Sequence, residues 1–303
     1  MLQILHATNI PFMKYRRIAY FFSGAIILVT LAFLFTKGPK LGVDFTGGTL
    51  LQIRTAPAQQ ADAVRSALDA GGFKGAEIQQ MTGVSKDEFL IRTQDSSKDV
   101  FPRAQAAIEG RMSGTKVELR GMSTVGSKVG GDLRHKAIMA ILSSLGIILL
   151  YVGWRYEFKY ALGGVVALLH DVIVTLGFLC FTGREITLTV IAALLTIAGY
   201  SINDTIVVFD RIRERNKALR KETHTRVMDI AVNETLSRTV ITAFTVFLTA
   251  LALFIWGGEV LRDFSFAMLV GTVFGTYSSV FVASAMALDI WISLDRRKGI
   301  PAE

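Results

Sequence analysis

Apolar residues in this chain gather into six long blocks, at roughly 18–36, 137–154, 160–181, 187–208, 239–256 and 264–290, separated by charged or mixed segments. Each is close to the ~20 residues that a helix needs to cross a hydrocarbon core about 30 Å thick. Backbone in lipid must satisfy its own hydrogen bonds, so each block predicts a membrane-spanning helix. The first block follows Lys14, Arg16 and Arg17 as the apolar region of a signal peptide would. It is too long for one and lacks a convincing cleavage site before Lys37, so it reads as a retained anchor.

Between the first two blocks, from Lys37 to about Lys136, the pattern changes to that of a water-exposed domain. Thr49, Leu51 and Ile53 recur with period two, and Ala61, Val64 and Leu68 recur at helical spacing. An apolar run Phe89–Ile91 follows, then Phe101, Ala104 and Ile108 at helical spacing, then Val117 and Leu119 among Lys116, Glu118 and Arg120. That order predicts a small α+β domain of the ferredoxin-like β-α-β-β-α-β type. The expected fold class is an α-helical membrane protein with six transmembrane helices plus this domain. Its parts are 1–36 (N-terminus and first span), 37–136 (α+β domain), 137–295 (five-helix bundle, spans two to six) and 296–303 (tail).

Composition agrees, with 51% hydrophobic residues and a mean hydropathy of +0.44. Charge sets the orientation. With the N-terminus inside, one face receives sixteen basic residues: Lys14, Arg16, Arg17, Arg155, Lys159, eight from Arg211 to Arg238, and Arg296, Arg297 and Lys298. The short loops of the other face hold Arg184 and Arg262 alone. This is the positive-inside pattern, so both termini are expected in the cytoplasm and the α+β domain outside. It also accounts for the net charge of +8 without nucleic acid. Cys180 is the single cysteine, so no intramolecular disulfide is possible. Nucleotide motifs are absent and no cofactor or metal is expected; Gly47-Gly48 is too short for a phosphate loop and reads as a tight turn into the first strand.

The chemistry lies in polar residues inside apolar blocks. Asp204, with Asn203 and Thr205, interrupts the fourth block, and an ionisable group there marks an ion or substrate path more often than not. By helix rise Asp204 sits roughly 6–9 Å into the hydrocarbon from the Asp210-Arg211 boundary. Arg238 enters the fifth span from the same side and is placed to face it. Arg238, Thr242, Thr245 and Thr249 fall on one stripe, a candidate file for water. Asp171 lies about 16 Å into the third span beside His170, and the two point about 100° apart, so one at most is expected to face a path. Ser201, Asn203 and Thr205 read as interhelical donors, and Gly271, Gly275, Ser279 and Ala283 as a small-residue ridge for close helix packing.

Five motifs carry a resemblance: Val43-Asp44-Phe45-Thr46-Gly47-Gly48, Leu169-His170-Asp171-Val172, Gly199 to Arg215, Thr235-Leu236-Ser237-Arg238-Thr239, and Gly271 to Ser279. In these the chain resembles the SecF family of protein-export membrane proteins, within the resistance-nodulation-division superfamily. The resemblance implies a bacterial inner-membrane protein paired with SecD, the SecYEG channel and YajC, and assisting exported unfolded polypeptide at the expense of the proton motive force. It assigns Asp204 and Arg238 to proton conduction. Asp171 joins them as a candidate by its depth, with Asn203, Thr205, Thr242 and Thr245 as supporting polar groups. Two rival readings are an intramembrane aspartyl protease built on Asp171 and Asp204, and half of a small-molecule exporter. The contexts His-Asp and Ile-Asn-Asp depart from the protease motifs, and exporters of the superfamily carry two such six-helix units.

Overall fold

The structure, a computed structural model, describes residues 8–81 and 87–297, apart from the side chains of Phe158 and Glu259. Most of the expected tail, including Lys298, therefore lies outside the described residues. The chain divides into two compact units, Met1–Lys40 with Met139–Glu303, and Leu41–Ile138. A 3₁₀ turn (Phe12–Tyr15) leads into α1 (Arg16–Thr36), followed by β1 (Lys40–Leu41), α2 (Val43–Thr46), β2 (Gly48–Ala56), α3 (Ala61–Ala70), β3 (Glu77–Gln80), β4 (Glu88–Thr93), α4 (Val100–Arg111) and β5 (Lys116–Val125). Then come α5 (Ser127–Arg155), α6 (Phe158–Phe181), β6 (Glu185–Ile186), α7 (Leu188–Ala218), α8 (His224–Trp256), α9 (Gly258–Ser278), a π-helical turn (Ser279–Ala283) and α10 (Ser284–Arg297). Six of the described helical segments are long and apolar enough to cross a membrane, the sixth running from α9 through the π turn into α10.

Three helices clearly outrun their apolar blocks: α5 starts at Ser127, ahead of the second block near 137, and α7 and α8 extend together. The fourth block ends near 208 but α7 continues to Ala218, and the fifth begins near 239 but α8 starts at His224. Hydropathy finds the apolar stretch, whereas the helix continues wherever an amphipathic face still has something to bury. Val208, Phe209 and Ile212 on α7, and Val227, Met228, Ala231 and Val232 on α8, are that face. Outside it, Arg211 and Arg215 both reach Glu234 across the two helices, at 2.7 and 2.6 Å. Thr223 caps α8 by accepting from the Arg226 N–H at 3.2 Å. The segment before α1 is fastened to the same extension. Asn233 exchanges two hydrogen bonds with the Ile10 backbone (2.9 and 2.8 Å), and Asp229 accepts from the Met13 N–H at 2.9 Å. Phe12 and Met13 are thereby buried.

The second unit is the expected β-α-β-β-α-β sandwich. Its sheet runs β3-β4-β2-β5 with every pair antiparallel, so each crossover helix spans two strands with a third between them. Leu51 pairs with Ile91 and Ile53 with Phe89, and these four turn one face inward against Val64, Leu68, Ala104 and Ile108. The Gly47-Gly48 turn has φ of 75° and 117°. A side chain at Gly48 would overlap the Thr93 carbonyl oxygen, so the pair is demanded twice, by backbone angle and by close approach.

Surface carboxylates tie this domain together. Glu109 accepts from the Val117 N–H at 2.9 Å and from Gln105 at 3.0 Å, which holds its carboxyl below the usual range, the Gln105 bond weighing most. Hydrogen bonds from Ser97, then Arg103, do the same for Asp95. Depressed folded values mean stability that is complete above the ordinary carboxylate range near pH 4 and is lost as pH falls through the lower folded values. The excised domain is therefore expected to melt at lower temperature as pH drops from 5 toward 2. Glu109→Gln should show a shallower drop by circular dichroism; identical slopes would remove Glu109 as a contributor.

Candidate functional site

α6, α7, α8 and α9 converge on two buried carboxyl groups. Asp204 on α7 is 6% exposed, and each of its oxygens has a donor: Thr239 of α8 to Oδ1 at 2.6 Å, and Ser279 of the π turn to Oδ2 at 2.7 Å. Asp171 on α6 is fully buried. Ser201 of α7 and Ser278 of α9 donate to its Oδ2 at 2.6 and 2.8 Å, and His170 Nδ1 lies 3.0 Å from its Oδ1. Consecutive serines on one helix thus grip the two aspartates separately, Ser278 taking Asp171 and Ser279 taking Asp204. About 100° of helical rotation between neighbours is what sends them to different partner helices.

The π turn begins at Ser279, where the Ser284 hydroxyl donates to the Ser279 carbonyl five residues back, at 2.9 Å. Single π turns insert a residue into a helix and are frequent at functional sites. A side chain on Gly163 of α6 would lie 2.7 Å from the Ala283 carbonyl oxygen, so α6 passes this turn at backbone contact.

Several expectations change. Arg238 and Asp204 do not pair: Arg238 is exposed on α8 and forms no ion pair among the described residues, while its neighbour Thr239 makes the contact. One residue along a helix is about 100°, enough to turn a charge outward and bring a hydroxyl in. The threonine stripe is not an inward file of hydroxyls. Thr242, Thr245 and Thr249 each donate to α8's own carbonyls, at 3.0, 2.8 and 2.9 Å, and Thr245 and Thr249 are exposed. Asn203 is exposed and makes no side-chain hydrogen bond among the described residues, whereas Thr205 is buried. His170 and Asp171 both point inward and meet, because rotamers on adjacent residues bridge the 100° between them. His170 Nε2 is buried without a hydrogen-bond partner, its ring beside Phe274 and Tyr277.

Thr239 and Ser278 stood within the sequence motifs but were given no role of their own, and Ser279 was read as packing alone. The available signal was two consecutive serines, with a third at Ser284, inside an apolar block. The ridge itself meets a helix of its own chain. A side chain on Gly271 would overlap Ile197 of α7, and one on Gly275 would lie 3.3 Å from the Ser201 Cβ and 3.6 Å from Asp171 Oδ2. Gly275→Leu is therefore expected to destabilise the chain on its own, by about 1–3 kcal/mol as overpacking does. A lower melting temperature of the purified chain in detergent would show it, and unchanged melting would show that α9 does not rest on α7.

Six segments long and apolar enough to span, packed around two buried carboxyl groups, define a multi-pass membrane protein. Residues 106–292 match the family model for the C-terminal part of the protein export membrane proteins SecD/SecF, and residues 32–59 match the SecD/SecF GG motif. The protein translocase subunit SecF of Vibrio alginolyticus is 43% identical over 96% of this chain and 93% of its own length. That of Rhodothermus marinus is 42% identical over 95% and 96%. The crystal structure of SecDF from Thermus thermophilus, a translocon-associated membrane protein, superposes with a TM-score of 0.85 at 38% identity over 94% of this chain. SecDF in its super-membrane-facing form gives 0.73 at 36% over 99%. The chain spans about two-fifths of the length of these SecDF chains, 39% and 41%. The chain belongs to the SecF family of protein-export membrane proteins.

Proposed function

We propose that this chain pairs with SecD in the bacterial inner membrane and uses the proton motive force to promote and complete protein translocation. The reading places both termini in the cytoplasm and the α+β domain in the periplasm, beside emerging unfolded polypeptide, with SecYEG and YajC as further partners. The match to SecF relatives over 93% and 96% of their length, and to 39% of a SecDF chain, supports association with SecD. It acts as a translocation subunit and not as an enzyme. In an aspartyl protease two carboxyls share a proton, whereas here each carboxyl has its own donors and no hydrogen bond joins them.

The observation that carries the proton-coupled reading is Asp204, buried between Thr239 and Ser279 with no cation in contact. Hydroxyls satisfy a carboxyl in either protonation state, because each can donate or accept. An ionised Asp204 leaves a buried charge, and Arg238, one residue from Thr239, is the cation that a small rotation of α8 would bring in. Loading and unloading then favour different packings of α8 and α9 against α7, and a proton does work where two states bind it differently. Asp171 is joined to the same serine pair and serves as a second proton-holding site.

Export by spheroplasts or proteoliposomes at saturating ATP tests the reading. Adding the chain with SecD should introduce a component of the rate that a protonophore abolishes. A rate indifferent to the protonophore with and without the chain would overturn it. Within the same assay Arg238→Met should remove most of that component and Arg238→Lys should keep part of it. If Met matches the parent protein, Arg238 only orients the helix in the membrane.

A further inference from the structure

Where α1 begins and α10 ends, a cavity of 660 Å³ opens among Arg16, Arg17, Tyr20, Asp289, Arg296 and Arg297. Its one acid is already committed: Asp289 accepts from Arg16 Nε at 3.1 Å and from the Tyr20 hydroxyl at 2.9 Å. Arg17, Arg296 and Arg297 are exposed and form no ion pair among the described residues. Four guanidinium groups against one carboxylate leave a surplus of three positive charges around one cavity. Such an arrangement is held against its own repulsion and is complementary to an anion, and the planar fork of arginine matches phosphate oxygens in pairs.

Position selects the source of that phosphate. The apolar run of α1 starts directly after Arg17, and Ile18, Phe21 and Phe22 along it are exposed, a surface for acyl chains. Tyr20 lines the wall, packed against the apolar core of the bundle while its hydroxyl donates to Asp289, the two-ended arrangement of interfacial aromatics. The cavity lies within the range of sites for whole small molecules, larger than a bare phosphate needs. Basic pockets between spanning helices at the membrane boundary suit anionic headgroups. We propose that this cavity binds the headgroup of an anionic phospholipid. The proposal rests on α1 and α10 spanning a membrane and is independent of the export reading.

Native mass spectrometry of the full-length chain in detergent, titrated with phosphatidylglycerol or phosphatidylcholine, tests it. One phosphatidylglycerol should bind in preference to phosphatidylcholine. At about fivefold per arginine, Arg17→Gln/Arg296→Gln/Arg297→Gln should weaken it on the order of a hundredfold at low salt. Lys217→Gln/Arg220→Gln/Lys221→Gln, the same change of charge elsewhere, should not. Equal loss in both variants would reduce the site to general surface charge and overturn it. Displacement of the lipid by millimolar inorganic phosphate would instead make it a soluble-phosphate site and overturn the lipid assignment. Asp289→Asn removes the one negative charge of the lining and should tighten binding severalfold, where unchanged or weaker binding counts against the proposal.

Discussion

Asp204→Asn is expected to abolish the protonophore-sensitive part of export while leaving the chain folded, abundant and able to pair with SecD. The amide is nearly the size of the carboxyl, and its oxygen still accepts from one of the two hydroxyls. The other hydroxyl reverses to accept from the amide nitrogen, as Thr239 and Ser279 are both able to do. The cost in stability should stay near the ~1 kcal/mol of one rearranged hydrogen bond, a small shift in melting temperature. What is lost is the group proposed to take up and release a proton. ATP-driven export should persist, so total export falls only to the level seen with protonophore. The measurement is export rate at fixed ATP with and without protonophore, beside chain abundance and co-purified SecD. A protonophore-sensitive component of normal size in the Asn variant, at normal abundance, would remove Asp204 from the mechanism. Ser279→Ala makes a graded companion: it deletes one of two donors without touching the titrating group, so it should diminish that component and not erase it.

The spans and the α+β domain were legible because each rests on a local period: runs of apolar residues for the helices, and the change from period two to helical spacing for β2, α3, β4, α4 and β5; β3 had no such signal. The ends of α7 and α8 were not, because Phe209, Ile212, Val227 and Met228 are buried by packing against other elements, which an apolar-block reading does not see. Asp204 stood out by its cost in hydrocarbon, yet its partners did not. Helix spacing fixes which residues of α8 share a stripe but not which stripe faces α7, and an error of one residue exchanged Arg238 for Thr239 at the carboxyl, while Thr245 lies exposed. Asn203, one step from the buried Asp204, lies on the exposed face of α7. The π turn had no local signature. The partners that meet it, Asp204 at Ser279 and Gly163 against the Ala283 carbonyl, lie far away along the chain, so no window around the turn contains them.

That turn supplies the second large effect. Gly163→Ala is expected to disable the site although Gly163 touches neither aspartate, whereas Gly164→Ala, one residue away, should be nearly silent. A methyl group at 163 would stand 2.7 Å from the Ala283 carbonyl oxygen and 3.4 Å from the Ala287 nitrogen. Both are backbone atoms, so no side chain can swing aside and either α6 or the π turn must move. At 164 the nearest atom is Ile202 Cδ1 at 3.4 Å, the far end of a flexible side chain. Displacing the π turn by a few tenths of an ångström strains the 2.7 Å bond from Ser279 to Asp204 and, through the adjoining residue, the 2.8 Å bond from Ser278 to Asp171. Overpacking of this kind typically costs about 1–3 kcal/mol, so the purified Gly163→Ala chain should melt several degrees lower and lose most protonophore-sensitive export at once. Gly164→Ala should change neither. Because the two variants add the same methyl to neighbouring positions of one helix, general effects of alanine on insertion or helix propensity cancel between them. Equal melting temperatures and equal export for the pair would mean that α6 is not seated against the π turn, and the coupling of that turn to the two aspartates would fall with it.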